Sequence, residues 1–344
     1  MLLQKQFRDF NDIIRLDYEK KSELSEKREI IINLLNNIED FPSFDVLNQG
    51  SYAMNTGIEP IDTETKKQEY DIDIALLFNE NKDNLDPIKV KESIYKQING
   101  HTDYGAKIKK PCVTLTYKKK SERAFHVDIV SYAYQDKESK SSQLYLAKGK
   151  SSDDLEKGWE KGDPKGIVDY IKNKIKDADE REQCRRIVRF LKRWKSLKFG
   201  NDHAEPASVG ITFIVFDFFK YFENDDLSAL IYIVQQLKSL FYLSGYDESL
   251  NPMYSINYSM PSSIKVESNR NLFEKMTGRQ MTTFKQKTDK LLEDLTSIQD
   301  EPDLGEKCRK LSIIFGDDFP IPEKKDYSRI QENYIPTSSS SGII

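Results

Sequence analysis

Hydrophobic positions recur with two different periods along this chain, and the switch between them divides it. Near the N-terminus Phe7, Phe10, Ile13, Ile14 and Leu16, then Ile30, Ile31, Leu34 and Leu35, return at helical intervals. That spacing predicts helix from residue 3 to about residue 38, stopped by Pro42. From Phe44 to about Val130 the pattern becomes one of short strands. "DVLNQG" reads as a strand entering a turn and "YDIDIALLF" as a strand. "CVTLTY" and "AFHVDIV" read as two more, joined by the polar turn "KKKSER". Between them "DPIKVKESIYKQIN" (86–99) predicts a helix opened by Asp86 and Pro87. Proline is tolerated there because the first amides of a helix have no partner within it.

Residues 135–165 are polar and Lys-rich, with Gly158, Gly162 and Pro164, and read as a connector between two lobes. Helical period resumes at Lys165, predicting segments over 167–175, 181–197, 208–222, 227–242 and 271–298. After Pro322 the periodicity ends in "EKKDYSRIQENYIPTSSSSGII", the composition of a flexible tail. The expected organisation is 1–164 as an N-terminal helix with a strand-rich core, 165–322 as a helical lobe, and 323–344 as the tail. No internal repeat is visible.

Composition narrows the function. With 344 residues, 38% hydrophobic and 32% charged, the chain can bury substantial cores under a heavily charged surface. A net charge of −4, from 53 basic and 57 acidic residues, argues against a protein built to coat DNA. Cys112, Cys184 and Cys308 are far apart and form no CxxC, which argues against a disulfide framework; with His101, His126 and His203 they also space poorly for zinc. The opening "MLLQKQFRDFND" carries charges too early for a signal peptide, and "VGITFIVFDFF" is too short to span a bilayer and contains Asp217. The expectation is a soluble cytoplasmic protein without membrane contact.

Candidate chemistry lies in the strands. Side chains alternate faces along a strand, so Asp71 and Asp73 share one side while Ile72, Ile74, Leu76 and Phe78 share the other. Two like charges on one face need compensation, which a divalent cation supplies directly, although D-x-D also occurs as two solvated acids on an edge strand. In "FHVDIV", Asp128 shares a face with His126 and Val130 while Phe125, Val127 and Ile129 face the core. If the two strands are neighbours, three carboxylates meet. Oxygen ligands of this kind suit two Mg²⁺ ions, or Mn²⁺, about 4 Å apart for phosphoryl displacement. Upstream, Gly50-Ser51 follows the first strand; a glycine turn with free amides and a hydroxyl can cradle phosphate oxygens, or be an ordinary helix-capping turn. It is no Walker A loop, because the lysine is missing.

Gly-Ser, about twenty residues to D-x-D, then a later strand aspartate resembles the signature of the polymerase-beta-like nucleotidyltransferases. "QGSYAMNTGIEP", "YDIDIALLF" and "HVDIV" resemble the bacterial cGAS/DncV-like nucleotidyltransferases, the CD-NTases, which make cyclic oligonucleotide second messengers in anti-phage (CBASS-type) defence. "WEKGDPKGIVDYIK", "RRIVRFLKRWK", "SIKVESNRNLFEKMTG" and "FGDDFP" extend the likeness over roughly 40–320. The resemblance implies an α+β fold, a mixed β-sheet core with helices plus a C-terminal helical lobe, and an active site in the cleft between them. It makes Asp71, Asp73 and Asp128 the metal-binding and catalytic triad, and Gly50 and Ser51, preceded by Gln49, the donor-triphosphate turn. Lys192 takes the place of a triphosphate-contacting lysine of related oligoadenylate synthases, unless it is a solvated helix lysine. Arg189, one helical turn earlier, is a candidate to share that role. Ser208 matches a phosphate-contacting serine, or is the N-cap of its helix.

The implied reaction is attack by a ribose hydroxyl of one NTP on the α-phosphate of another, closing to a cyclic di- or trinucleotide that a separate effector protein reads. Asp128 is placed nearest the acceptor by the same resemblance. Tyr132 is a candidate to stack on a base. The zinc insertion by which animal relatives grip double-stranded DNA has no counterpart, so no DNA activation is implied, and "DTETKKQE" (62–69) reads as a mobile hairpin. "KIKK" (107–110) and "KKK" (118–120) either steer nucleotides or are solvated hairpin ends. The expected state is a monomer. The rival readings are RNA tailing or protein or tRNA nucleotidylation on the same core, and a non-catalytic nucleotide-binding relative.

Overall fold

The computed structural model describes residues 2–16, 22–61, 70–117, 125–199, 205–267 and 270–322. Two elements open the chain where the hydrophobic period suggests one continuous helix: α1 (Leu2–Ile14) and α2 (Ser22–Asn36). They pack on different cores. Phe7, Phe10 and Ile14 of α1 lie among the helices of the C-terminal half, while Ile31 and Leu35 of α2 lie under the sheet. Ile13, counted with the apolar stripe, is 49% exposed.

Among the described residues the central sheet has seven strands. β1 (Phe44–Gln49), β2 (Tyr70–Asn81), β5 (Phe125–Tyr134), β4 (Val113–Tyr117) and β3 (Ala106–Ile108) lie side by side in that order. β2 and β5 are parallel and the other pairs antiparallel. One face is apolar in the manner the alternation requires: Ile72, Ile74, Leu76 and Phe78 of β2, with Val127 and Ile129 of β5, pack on α2 and on α4 (Pro87–Ile98) through Val90, Ile94 and Ile98. α4 starts where the sequence places it, with the Asp86 carboxylate accepting from the amides of Ile88 and Lys89 and Pro87 in the first turn.

The segment 135–165 differs from the expected connector. It contributes β6 (Leu144–Lys148) and β7 (Gly158–Gly162), and β6 pairs antiparallel with the end of β5. The strands are hard to see in sequence because only Leu144, Ala147 and Gly162 among their residues are buried.

α5 (Pro164–Lys174), α6 (Ala178–Lys198), α7 (Ser208–Phe218), α8 (Asp226–Ser239), α9 (Gly278–Asp300) and α10 (Leu304–Phe315) form the helical lobe around one large core. Its centre is aromatic: Phe7, Phe10, Phe190, Phe315 and Phe319 contact one another at ring-centroid separations of 5.0–6.2 Å. The hairpin of β8 (Tyr242–Tyr246) and β9 (Pro252–Ser255) lies in a stretch to which the sequence pattern assigns no element. Among the described residues no helix is long and apolar enough to cross a membrane. The expected hairpin 62–69, the turn 118–123 and the tail 323–344 lie outside the described residues.

Candidate active site

The parallel pairing of β2 with β5 decides what meets what. Asp73 is the register partner of Asp128, and Asp71 that of His126. On the flanks Gln49 pairs with Asp73, Thr114 with Asp128 and Thr116 with His126. Residues paired in register on adjacent strands share a face, so Gln49, Asp73, Asp128 and Thr114 form one polar row. Asp71, His126 and Thr116 form the row beside it. The Asp71 side chain itself lies outside those described.

Asp128 is held from two sides. The Thr114 hydroxyl donates to Asp128 Oδ1 at 2.5 Å, and Lys109 Nζ stands 3.7 Å from the same oxygen. Thr116 Oγ1 lies 3.1 Å from His126 Nδ1, which fixes the imidazole ring in the row. Lys109 and His126, with Asp73, line a cleft of about 1040 Å³ between sheet and helical lobe.

The short helix α3 (Gly50–Met54) lines that cleft through Gly50, Ser51 and Met54. Gly50 has φ +65°, and a Cβ there would overlap the Asp73 carboxylate, lying 2.8 Å from Cγ. Only glycine combines that dihedral with that approach at no steric penalty. The turn and the first carboxylate are thus one packed unit, with Ser51 lining the cleft beside them. Tyr132, a candidate to stack on a base, is 8% exposed but lines the cleft, and its hydroxyl donates to Gln49 Oε1 at 3.4 Å.

The basic residues of α6 behave differently from one another. Arg189, fully buried, donates to Asn11 Oδ1 (2.7 Å), Glu182 Oε1 (3.0 Å) and the Asn55 carbonyl (2.8 Å), and is not among the residues lining the cleft. It braces the segment after α3. Lys192 lines the cleft but is 7% exposed and donates to the Thr56 carbonyl and hydroxyl at 2.9 and 3.2 Å. It is therefore no solvated helix lysine. Burial, with Lys195 and Arg189 nearby, pushes its ammonium down to about 7, against a smaller opposing pull from Asp73. Arg193 adds a bond to the Glu59 carbonyl at 3.2 Å. Three successive cations on one helix thus grip residues 55, 56 and 59, and the Thr56 amide in turn bonds the Ser51 carbonyl at 3.0 Å.

Ser208 is the first residue of α7 rather than its cap, which falls on Ala207. Its hydroxyl accepts from Lys195 Nζ at 2.9 Å, and both line the cleft. Lys195, missed in the sequence, stands one helical position from the residues on which the "RFLKRW" motif draws attention. Leu16, Met54, Ile58, Ile167, Val168 and Val209 supply an aliphatic part of the wall, with Ser196, Glu205 and Thr212 as further polar members. Among the described residues no group of three or more His, Cys, Asp or Glu side chains is placed to hold a metal ion.

The mixed sheet with its parallel β2–β5 pair and the helical lobe around this cleft form the expected α+β architecture, a fold shared with solved structures of DncV type. A model of the Second Messenger Oligonucleotide or Dinucleotide Synthetase domain matches residues 1–174, and the chain belongs to that family. The cyclic GMP-AMP synthase of Escherichia albertii is 28% identical over 239 residues, 66% of this chain and 48% of the relative. The match therefore spans about half the length of that relative. Among solved structures, the Vibrio cholerae cyclic AMP-GMP synthase DncV superposes with a TM-score of 0.68 at 18% identity, covering 92% of this chain and 96% of that one. The Bradyrhizobium diazoefficiens CD-NTase CdnG, solved in complex with GTP, gives a TM-score of 0.65 at 12% identity, covering 97% and 100%. At such identities the likeness is one of fold.

Proposed function

We propose that this chain is a metal-dependent nucleotidyltransferase that joins NTPs into a cyclic di- or trinucleotide second messenger, releasing pyrophosphate at each linkage. The observation that carries this is the row Gln49–Asp73–Asp128 beside the Gly50-Ser51 turn, with Gln49, Gly50, Ser51 and Asp73 lining a cleft large enough for nucleotides and Asp128 next to Asp73 in register. The family membership and the fold of the solved relatives support it. The core 1–164 and the helical lobe 165–322 are its working parts, with α1 packed across onto the helical side.

The residues fit a divalent cation. Asp73 and Asp128 offer oxygen donors on adjacent strands, Asp71 stands two positions before Asp73 on the same strand face, and the ammonium of Lys109 already sits beside Asp128. Asp71, Asp73 and Asp128 would hold Mg²⁺ or Mn²⁺. Such ions supply a lower pKa for the acceptor hydroxyl and neutralise charge on the attacked phosphate. The chain's own residues do the positioning. Gly50 admits the donor phosphates to the backbone amides, and the Ser51 hydroxyl, Lys192, Lys195 and Ser208 meet their charge. The acceptor oxygen bonds to the α-phosphorus as the bond to the β-phosphate oxygen breaks, and its proton passes towards Asp128. Thr114 keeps that carboxylate from rotating. A second transfer closes the ring. The product is read by a separate effector protein in anti-phage defence, and the enzyme acts as a cytoplasmic monomer.

The test is incubation with radiolabelled ATP, GTP, CTP and UTP with Mg²⁺ or Mn²⁺, then phosphatase, then product mass. A phosphatase-resistant cyclic product that Asp73→Ala does not make supports the reading. Extension of added RNA in its place would overturn it.

A further inference from the structure

Among the residues lining the phosphate end of the cleft, the positive charges are arranged unequally. Lys109 faces Asp128, and Lys192 is turned to the Thr56 carbonyl and hydroxyl. Lys195 points to Ser208, and its ammonium is bound at the same time by the Glu205 carboxylate, at 3.1 Å from Oε2. Glu205 lines the cleft with them, and both partners are largely shielded from water, with side chains 20% and 11% exposed. A carboxylate therefore holds the Lys195 ammonium beside the Ser208 hydroxyl, in a cleft that Lys109, Lys192 and Ser51 also line.

We propose that Glu205 sets the affinity of this cleft for the triphosphate of its substrates by competing for Lys195. The proposal rests on the nucleotide-binding reading above. A phosphate that reaches Ser208 must take over the Lys195 ammonium from Glu205 and then lies next to a like charge. Both effects weaken binding in the ground state, and both disappear when the carboxylate is replaced by a neutral amide that still accepts from Lys195. One unit charge roughly 5 Å from another, under solvent-like screening, changes an equilibrium about fourfold, and shielding from water enlarges the factor. The residue thus holds the enzyme to a higher substrate concentration without touching the reacting atoms.

The experiment is calorimetric titration of the full chain with the non-hydrolysable analogues of ATP, GTP, CTP and UTP in Mg²⁺, and with inorganic tripolyphosphate. Glu205→Gln is expected to bind tripolyphosphate and the preferred analogue at least about fourfold more tightly than wild type. Glu205→Asp, which keeps the charge, is expected to stay near wild type. In turnover, Glu205→Gln lowers KM and leaves kcat unchanged, a split that a structural role would not produce. Should the glutamine variant fold poorly, Glu205→Ala carries the same prediction. Unchanged or weaker binding by the neutral variants, with wild type binding normally, overturns the role of Glu205 and leaves the nucleotidyltransferase reading intact. Failure of wild type to bind any analogue or tripolyphosphate overturns both.

Discussion

Replacing Gly50 by alanine separates stability from catalysis at this site. At φ +65° a side-chain-bearing residue costs about 1–2 kcal/mol in backbone strain. The new methyl would also overlap the Asp73 carboxylate, with the added carbon 2.8 Å from Cγ. The carboxylate is half-buried and can swing aside, so the folding penalty should remain about 2–3 kcal/mol, within the roughly 5–15 kcal/mol of a typical domain. Catalysis has no such margin, because a displacement of about 1 Å in a reacting group costs about 10²-fold in rate. Urea unfolding and initial rates of product formation, measured on the same preparations, give the two numbers. Gly100→Ala is the control, since a Cβ there meets nothing within 4 Å. The expected result is a folded Gly50→Ala protein with rate down about 100-fold or more. A rate within about threefold of wild type, or one that falls only as the folded fraction falls, would refute the packing of turn against carboxylate as the source of the glycine requirement.

Two further expectations concern α6. Arg189→Met leaves the Asn55 carbonyl, Asn11 and Glu182 without their shared donor and should cost about 2–4 kcal/mol in urea unfolding; deuterium exchange over 50–59 should quicken, and Arg189→Lys should recover part of the loss. Lys192 is held near 7 in the folded chain against 10.5 ordinarily, so above pH 7 the unfolded chain binds more protons and the burial penalty on stability, complete below pH 7, is relieved as pH rises toward 10.5. A bound triphosphate favours the ammonium, so nucleotide binding at about pH 8 should take up a proton that it does not take up at about pH 6; calorimetry in buffers of different ionisation heat should show this in wild type and not in Lys192→Met.

The carboxylate row was legible because a strand's period of two leaves no choice of face. Once Ile72 and Ile74 go to the core, Asp71 and Asp73 cannot, and the same holds for Asp128 between Val127 and Ile129. What periodicity does not carry is the partner of a face. The stripe Phe7, Phe10, Ile14 announces a helix and is silent on whether it covers the sheet or, as here, joins Phe190 and Phe319. β6 (LYLAK) and β7 (GWEKG) escaped notice because five residues give too short a run for alternation to register, and β7 adds two charges between terminal glycines. The lysines show the limit most plainly. Lys192 and Lys195 stand three apart on α6, and only tertiary contact tells that one amine turns to Thr56 and the other to Ser208. Arg189 sits one turn before Lys192, yet its guanidinium is spent on backbone and side chains behind the turn.

The stoichiometry of pyrophosphate tests the central claim most directly. Closing a ring forms one linkage and releases one pyrophosphate for every nucleotide incorporated, whereas a linear dinucleotide that keeps its terminal triphosphate releases one for two. Transfer to an RNA or protein acceptor also releases one per nucleotide, so the ratio is read on the isolated small product with no acceptor added. With wild-type protein, the preferred NTPs and Mg²⁺ or Mn²⁺, the account predicts one pyrophosphate per nucleotide in the isolated product, and no release above background from Asp73→Ala. A limiting ratio near one half, or release that persists without Asp73, would contradict it.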